Sequence, residues 1–310
     1  MGIIYDHVMM LNQNGFNATI IKKENCIVPS WLNFTVPVND YNFLIKHLQP
    51  HDFLVVPEAM LDMQGLKKLK CRKILFIQAT AFMFESMPPG EDHQSLGFEH
   101  VMTIMPHMTH IVNKHVQLPF TEVPPYLADY FFTKKALRRK RQVIIYPKFH
   151  QIDYSIVKYL INRYIQKRNA SWVKDFIYGG NWSIKELSGY THEEVAQIMQ
   201  ESEFFVSLNT FEALNTSVVE AMASGCIVFC YEGFGPQDYL INCRNACVFS
   251  NNQAYLLAEA VCKQIDSYEE QANFRQYMRE NAYKTAEIYS RREAEIKLVS
   301  FFNSLTDAKK

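Results

Sequence analysis

Short apolar runs alternate with longer amphipathic stretches along most of this 310-residue chain. Most of the runs are rich in β-branched or aromatic side chains and lack the polar alternation of a half-exposed strand. Such uninterrupted runs are typical of strands that helices cover on both faces. The pattern therefore predicts an α/β protein with doubly wound parallel sheets. The predicted strands are 18–22, 53–58, 73–78, 101–105 and 110–114 in the first part of the chain, and 142–147, 173–178, 204–209, 226–231 and 246–250 in the second.

Helical stretches separate several of these strands. The stretch that begins near Tyr5 ends on Asn14-Gly15, a pair that commonly stops a helix. The stretch after Thr191 opens with a capping threonine and two acidic residues, which favour a helix start. Residues 271–305 also have the composition of helix. Helices between strands supply the crossovers that parallel sheets need.

The chain is long enough for two domains, and a break between them is predicted near residues 134–141. Prolines 119, 124 and 125 precede this segment, and six of its eight residues are Lys or Arg. We expect a Rossmann-like domain over 1–133, a basic linker over 134–141, a second Rossmann-like domain over 142–285, and a C-terminal helix over 286–310 that packs back on the first domain. Ligands of such domains bind beyond the carboxyl ends of the strands.

Charge and hydropathy exclude some kinds of partner. The 32 Lys and Arg residues balance the 32 Asp and Glu residues, so no nucleic-acid partner is expected. No apolar run approaches the roughly 18 residues of a membrane-spanning helix, and the first residues lack a positively charged leader. A cytoplasmic protein is expected. The basic segment 134–141 is either a solvated linker or a peripheral contact with anionic lipid head groups or an acidic acceptor.

Four of the seven cysteines form two C-x3-C pairs, Cys226 with Cys230 and Cys243 with Cys247. The first pair brackets a predicted buried strand, where residues four apart lie ~13 Å from each other. That separation is too large for two ligands of one zinc ion, whose bonds to sulfur are about 2.3 Å long. We therefore expect packed, reduced thiols and no metal site.

Polar groups collect where three predicted strands end. Glu212 follows strand 204–209, and a helix is predicted to begin near Ser217. Lys148 follows strand 142–147, and the loop after strand 226–231 has a Gly-x-Gly sequence at Gly233 and Gly235. A cation, a helix start and exposed backbone N–H groups favour phosphates, whereas carboxylates accept hydrogen bonds from hydroxyl groups. The combination suits a nucleoside diphosphate.

The segment "SLNTFEALNTSVVEAMASGCIVFCYEGFGPQDYL" (207–240) resembles the donor-site signature of retaining glycosyltransferases with the GT-B fold, the group 1 type. That signature has two glutamates spaced by seven residues, then Ala-Met-Ala, a glycine, a buried strand and a Gly-rich loop. The similarity runs from about 142 to 250. It implies two Rossmann-like domains facing a cleft, and transfer of a sugar from a nucleotide-diphosphate sugar to a glycan, lipid-linked or protein acceptor.

The resemblance also implies roles for individual residues. Glu212 would contact the donor sugar and the charge that develops at its anomeric carbon, and Lys148 would hold the diphosphate. Glu220 would bind the ribose hydroxyls. No metal or other cofactor is implied, because Lys148 and the helix start supply the positive charge. Further candidates are Asn215, Thr216, Ser217, Gly233 and Gly235 on the donor side, and Glu58 and Gln78 on the acceptor side.

The sequence departs from the signature in the turn after Glu212. Where the family has Gly-Phe-Gly, this chain has Ala213-Leu214-Asn215, which predicts a narrowed or reshaped donor pocket. Ser217 and Glu220 also fit a helix-capping box, so Glu220 is alternatively a capping residue, and Glu212 is alternatively a solvated loop acid.

Two further departures lie outside the turn. Asp153 stands where the family often has a second basic residue, for which Arg141 and Lys158 are candidate replacements, and the family's first strand is missing. An alternative function is therefore a catalytically weak or inactive homologue that acts as a binding or scaffolding subunit. A third is an epimerase or hydrolase acting on the same donors.

Overall fold

The computed structural model describes residues 2–22, 36–132, 139–146, 148, 150–170, 180–233 and 238–307. The chain divides into two compact units, Met1–Tyr126 with Arg291–Lys310, and Leu127–Ser290. The second unit thus begins ahead of the predicted linker at 134–141, and the last helix is part of the first unit.

The first unit contains a four-stranded parallel sheet in the order β3-β4-β5-β6 and a two-stranded parallel pair, β1-β2. Its strand β4 carries Leu75, Phe76 and Ile77 fully buried, as an uninterrupted apolar run predicts. The strands are β1 Ile20–Lys22, β2 Val38–Asp40, β3 Phe53–Pro57, β4 Arg72–Ile77, β5 Phe98–Thr103 and β6 Phe120–Glu122, and the helices are α1 Gly2–Gln13, α2 Tyr41–His47, α3 Thr80–Glu85, α4 Pro106–His115 and α10 Arg291–Asp307.

The second unit contains a five-stranded parallel sheet in the order β11-β10-β9-β7-β8. Aromatic rings fill its core, where Phe204 stacks on Trp182 at 5.0 Å between ring centroids and meets Phe229 edge-on at 5.4 Å. The strands are β7 Lys140–Tyr146, β8 Ser183–Glu186, β9 Ser202–Ser207, β10 Ile227–Tyr231 and β11 Cys247–Phe249, and the helices are α5 Gln151–Asn169, α6 His192–Glu201, α7 Thr216–Ala223, α8 Ala254–Asp266 and α9 Ala272–Glu287.

The strand order in the second unit fixes where a ligand site belongs. Strand β8, which follows β7 in the chain, lies on one side of β7, and β9, the next strand in the chain, lies on the other side. The crossover from β7 to β8 and the crossover from β9 to β10 therefore run in opposite directions along the sheet. This leaves a crevice at the carboxyl ends of β7 and β9. In doubly wound sheets such a switch point is the place where ligands bind.

Most predicted strands are confirmed, but one is wrong. Residues 110–114 lie in helix α4, Pro106–His115, which carries the chain from β5 to its parallel neighbour β6. Pro106 occupies the first turn, a position that proline favours, and Met108 and Val112, four residues apart, are both fully buried. The pattern missed β2, β6 and β8, and the predicted strand 173–178 lies outside the described residues.

The predicted helix boundaries hold where local chemistry sets them. Helix α1 ends before Gly15, whose φ of 85° is left-handed. Helix α6 has the expected cap, because the Thr191 hydroxyl accepts from the Glu194 amide and the Glu194 carboxylate accepts from the Thr191 amide. Residues 271–305 form two helices, α9 and α10, since the chain leaves the second unit after Ser290.

Helix α10 packs within the first unit through aromatic and polar contacts. The Phe302 ring meets Phe16 at 6.1 Å and Phe53 at 5.9 Å between centroids, both edge-on. Arg291 donates to the side chain of Gln13 at 2.6 Å. These contacts join the last helix to α1 and to strand β3.

The basic segment lies partly within the described residues. Arg139 donates to the backbone carbonyls of Ser202 and Ser224, each at 2.8 Å, so its guanidinium holds the starts of two strands together. Lys140 is paired with Glu201. Residues 134–138 lie outside the described part of the chain, so the predicted lipid contact stays a prediction. No described helix has both the length and the apolar character needed to cross a bilayer.

The six cysteines in the described part of the chain are free thiols, and none of the described acidic, His and Cys residues cluster in groups of three that could hold a metal ion. Cys226 and Cys230 are buried at the start and within β10, as expected. Cys243, by contrast, is exposed. Burial raises the pKa of Cys226 to about 12, which keeps this thiol protonated and unreactive.

Alkylation of the native protein by iodoacetamide at pH 8 is expected to modify Cys243 well before Cys226 and Cys230, because only an accessible thiolate reacts. Peptide mass spectrometry over time measures the three rates. In denaturant the three rates should converge. Equal rates in the native protein would contradict the described burial.

His7 on α1 makes the first unit sensitive to acid. Its ring is buried beside Phe76, with centroids 5.2 Å apart, and Nε2 has no hydrogen-bond partner within the described structure. Burial lowers the pKa of His7 to about 4. The unfolded chain binds a proton near pH 6.5, whereas the folded chain does not, so stability is lost as the pH falls from 6.5 toward 4.

Between pH 7 and pH 5, His7 is expected to lower the free energy of unfolding by about 2 kcal/mol through this difference in pKa. His7→Leu removes the titrating ring and should lose correspondingly less stability over the same interval. Urea denaturation of both proteins at the two pH values measures the difference. Parallel pH dependences would show that His7 is not buried in its neutral form.

Candidate functional site

The predicted donor residues collect at the switch point of the second sheet. Lys148 follows β7, Glu212 follows the neighbouring strand β9, and Glu220 lies on helix α7. Gly233 follows β10, the next strand along. The sheet order thus brings together residues that are far apart in the sequence. Gly235 lies outside the described residues.

Lys148 and Glu212 form an ion pair across the ends of the two strands. Lys148 Nζ lies 2.5 Å from Glu212 Oε1, and the side chains are 37% and 34% exposed. The other oxygen, Glu212 Oε2, accepts from the amide of buried Asn209 at 2.6 Å. Both carboxylate oxygens are therefore held, and Glu212 is not a freely solvated loop acid.

An exposed aromatic ring lies beside this pair. Phe211 is 65% exposed and stacks on His150, with centroids 5.2 Å apart and planes 14° from parallel. His150 Nε2 is hydrogen-bonded to Thr210 Oγ1, and its backbone has a left-handed φ of 50°. A residue other than glycine adopts this conformation at some cost, which here places the imidazole under the phenyl ring.

Helix α7 begins differently from the predicted capping box. Its N-cap is Asn215, and Ser217 donates to Asn215 Oδ1 at 2.7 Å instead of accepting from a backbone amide. Thr216 is the first helical residue. The carboxylate of Glu220 lies 3.0 Å from His192 Nε2, so the alternative in which Glu220 caps its own helix is wrong.

The substituted turn 213–215 is a packed part of the unit. Leu214 and Asn215 are buried, the Asn215 side chain donates to Ser207 Oγ at 2.8 Å, and its backbone amide donates to the Tyr239 hydroxyl at 3.2 Å. Of the two residues that stand where the family has glycine, Asn215 is therefore buried and Ala213 is half-buried. The hydrogen bond from Asn215 anchors the turn to β9.

The Asn251 side chain hydrogen-bonds both backbone groups of Gly233, as a neighbouring strand would. The Gly233 amide donates to Asn251 Oδ1 at 3.3 Å, and its carbonyl accepts from Asn251 Nδ2 at 3.0 Å. Its φ of 78° favours glycine. Asn251 thus anchors the beginning of the Gly-x-Gly loop.

The candidate replacements for a second basic residue are paired elsewhere. Lys158 lies 2.5 Å from Glu186, and Arg141 pairs with Glu269. Asp153, at the corresponding position, accepts from the Tyr231 hydroxyl at 2.7 Å. The roles of Arg141 and Lys158 as phosphate ligands stay predictions.

The acceptor-side candidates belong to the first unit. Glu58 is only 2% exposed, its Oε1 accepts from the Ala79 amide at 2.7 Å, and burial raises its pKa. This buried carboxylate joins the ends of β3 and β4. Gln78 is half-buried. Their acceptor-side roles stay predictions.

Several residues at this edge were not predicted: Tyr130, His150, His192, Asn209 and Phe211. Asn209 and Phe211 flank Thr210 at the end of a predicted strand, so their position next to Glu212 could have suggested them. His192 and Tyr130 could not be found this way, because they reach the site through the order of the strands and the packing of the segment 127–132.

Comparison with known proteins supports a glycosyltransferase. Residues 183–285 match the family described as Glycosyl transferases group 1. Among curated proteins, an alpha-1,6-glucosyltransferase of Actinobacillus pleuropneumoniae serotype 7 (strain AP76) is 26% identical over 274 residues, which cover 85% of this chain and 78% of the relative.

Solved structures share the architecture at low identity. The sucrose-phosphate synthase from Thermosynechococcus elongatus matches with a TM-score of 0.67 and 11% identity, over 98% of this chain and 93% of that chain. A pneumococcal O-GlcNAc transferase, GtfA, in complex with UDP and GlcNAc matches with a TM-score of 0.57 and 12% identity, over 86% of this chain and 59% of that chain. The predicted GT-B fold and the resemblance to group 1 glycosyltransferases are confirmed.

Glu220→Gln is expected to leave the melting temperature within about 1–2 °C of the wild type, because Glu220 makes no capping contact and its substitution keeps a hydrogen-bonding side chain. The matched control Asn215→Ala removes the buried bond to Ser207 and should destabilise by about 1–3 kcal/mol. Differential scanning calorimetry compares both. A larger loss in Glu220→Gln than in Asn215→Ala would restore the capping interpretation.

Proposed function

We propose that this glycosyltransferase with a GT-B fold moves a sugar from a nucleoside-diphosphate sugar to a glycan acceptor, with retention of configuration and without a metal ion or other cofactor. The single observation that carries the proposal is the Lys148–Glu212 ion pair at the switch point. It places a cation for phosphate and a carboxylate for sugar hydroxyls side by side, with Glu220 on the following helix.

Lys148 is the counter-charge for the leaving diphosphate. Its ammonium group carries N–H donors for phosphate oxygens, and it already donates to the Glu212 carboxylate. The start of α7 adds the partial positive charge of a helix N-terminus at the same edge. Negative charge grows on the diphosphate as the glycosidic bond breaks, so these groups bind the transition state more tightly than the ground state.

The carboxylates serve the hydroxyl groups of the donor. Glu212, held by Lys148 and Asn209, faces the sugar and the positive charge that develops at the anomeric carbon. Glu220 accepts from the ribose hydroxyls. Phe211 offers an exposed ring next to Glu212, against which an apolar sugar face can pack.

Retention follows from attack on the face that the diphosphate leaves. The bond from the anomeric carbon to the phosphate oxygen breaks while the acceptor oxygen forms a new bond on the same face. The acceptor hydroxyl proton passes to the departing phosphate oxygen, so charge and atoms balance. This route needs no side chain as a general base.

The relatives suggest which donor to try first. One is named as an alpha-1,6-glucosyltransferase, and a structural neighbour was solved in complex with UDP and GlcNAc. UDP-glucose, with UDP-N-acetylglucosamine beside it, is therefore the first donor to assay with glucan and surface-glycan acceptors.

Isothermal titration in EDTA against nucleoside diphosphates tests the donor site. Wild-type protein is expected to bind one of them, and Lys148→Ala should weaken that binding roughly 10–100-fold while the affinity for the matching nucleoside changes little, because only the diphosphate contacts the ammonium. Lys158→Ala is the matched control, since it removes a lysine from a similar ion pair with Glu186.

Three outcomes would contradict the proposal: no binding of any nucleoside diphosphate, equal losses for nucleotide and nucleoside in Lys148→Ala, or equal effects of Lys148→Ala and Lys158→Ala. Binding that disappears in EDTA would overturn the metal-independent part alone. Release of free sugar or of an epimerised donor without an acceptor would replace transfer by hydrolysis or epimerisation.

A further inference from the structure

We infer that Tyr130 and His192 are positioning residues that hold the Glu220 carboxylate for the ribose hydroxyls of the nucleotide. The inference rests on the proposed function and goes beyond it, because it assigns ribose recognition to three residues linked by hydrogen bonds. The Tyr130 hydroxyl lies 2.8 Å from His192 Nδ1, and His192 Nε2 lies 3.0 Å from Glu220 Oε1.

The two hydrogen-bond partners of the His192 ring, the Tyr130 hydroxyl and the Glu220 carboxylate, favour one tautomer of His192. A neutral imidazole carries one N–H and one lone pair. Glu220 only accepts when ionised, so the attractive arrangement has the proton on Nε2 and leaves Nδ1 as an acceptor for the Tyr130 hydroxyl. The opposite tautomer would place the Nε2 lone pair against a carboxylate. Glu220 therefore selects the Nε2–H form, and the Tyr130 hydroxyl stabilises it by donating to Nδ1.

Tyr130 suits this role because its hydroxyl stays protonated and its backbone is fixed. Burial, and then the carboxylates of Glu193 and Glu220, raise its pKa. Its carbonyl accepts from the Gln200 side chain at 2.6 Å. The next residue, Phe131, is fully buried and meets the His192 ring edge-on at 4.8 Å between centroids. The imidazole is thus held at its edge and at both nitrogens.

Helix capping does not account for His192. It is the first residue of α6, but the capping box of that helix is formed by Thr191 and Glu194. The ring instead reaches across to α7, a contact between residues 28 apart in the chain. A side chain with no part in the cap of its own helix is free to be replaced without breaking that cap.

The geometry leaves acceptor capacity on Glu220 for a ligand. A carboxylate has about four lone-pair sites, and His192 takes one of them on Oε1. The Glu220 side chain is 12% exposed, so one part of it still reaches solvent. Fixing its rotamer in advance removes part of the entropy cost of binding the ribose diol.

Titration calorimetry at pH 8 with a ribonucleoside diphosphate and its 2′-deoxy analogue tests the inference. UDP and 2′-deoxy-UDP are the first pair. His192→Ala is expected to weaken UDP binding about tenfold and 2′-deoxy-UDP binding much less, which lowers the preference for ribose. His192→Gln places an amide N–H near the Nε2 position and should keep UDP affinity within about threefold of wild type.

A purely structural role would give a different pattern. If His192→Ala weakens both nucleotides equally, or if His192→Gln fails as badly as His192→Ala while both keep the wild-type melting temperature, the inference is overturned. If the wild-type protein binds neither nucleotide nor any other nucleoside diphosphate, the proposed function fails and the inference falls with it. Wild-type binding with an unaffected His192→Ala would overturn the inference alone.

Nitrogen-15 NMR of the imidazole gives a readout that does not depend on nucleotide. At pH 8 the wild-type His192 should show its proton on Nε2, and Tyr130→Phe should shift the population toward the Nδ1–H form. A wild-type ring protonated on Nδ1 would contradict the chain of hydrogen bonds. An identical tautomer in Tyr130→Phe would remove Tyr130 from the proposal.

Discussion

The ion pair between Lys148 and Glu212 is the contact on which the proposed function depends. It forms only because β7 and β9 are neighbours although β8 lies between them in the sequence. The strand order thus converts two distant loop residues into adjacent opposite charges. Asn209 fixes the second carboxylate oxygen, so the acid is held from two sides.

The Lys148–Glu212 pair matters more for where it places its two charges than for the folding stability of the unit. Both side chains remain about one third exposed, and ion pairs at such positions contribute roughly 0–1 kcal/mol to folding. The stability of the unit comes instead from its buried aromatic and aliphatic core, in which Phe204 and Phe229 pack across the sheet. A ligand that binds at this edge can replace the contact between Lys148 and Glu212 without disturbing the buried core.

Sequence periodicity predicted the fold well because buried parallel strands are short apolar runs. It failed at 110–114, since a run such as "HIVNK" fits a strand or one face of a helix, and only the crossover to β6 decides between them. The short polar strands β2, β6 and β8 carry no such pattern. Local capping chemistry was readable at Thr191, whereas the same type of motif at Ser217 was misleading, because buried Asn215 had already taken the N-cap position.

The candidate site was predictable to the extent that its residues follow strands. Lys148 and Glu212 were found in this way, and Glu220 was found through the resemblance to the glycosyltransferase signature. The partners of Glu220 were not, because His192 and Tyr130 come from segments that meet α7 only in the folded unit. Interactions across such distances are set by topology, which composition and local motifs do not encode.

A crystal structure of the protein with a bound nucleoside diphosphate tests the central claim most directly. The account predicts phosphate oxygens within hydrogen-bonding distance of Lys148 Nζ and ribose hydroxyls on the Glu220 carboxylate, at the carboxyl ends of β7 and β9. A nucleotide bound elsewhere on the chain, or with its phosphates away from Lys148, would contradict it.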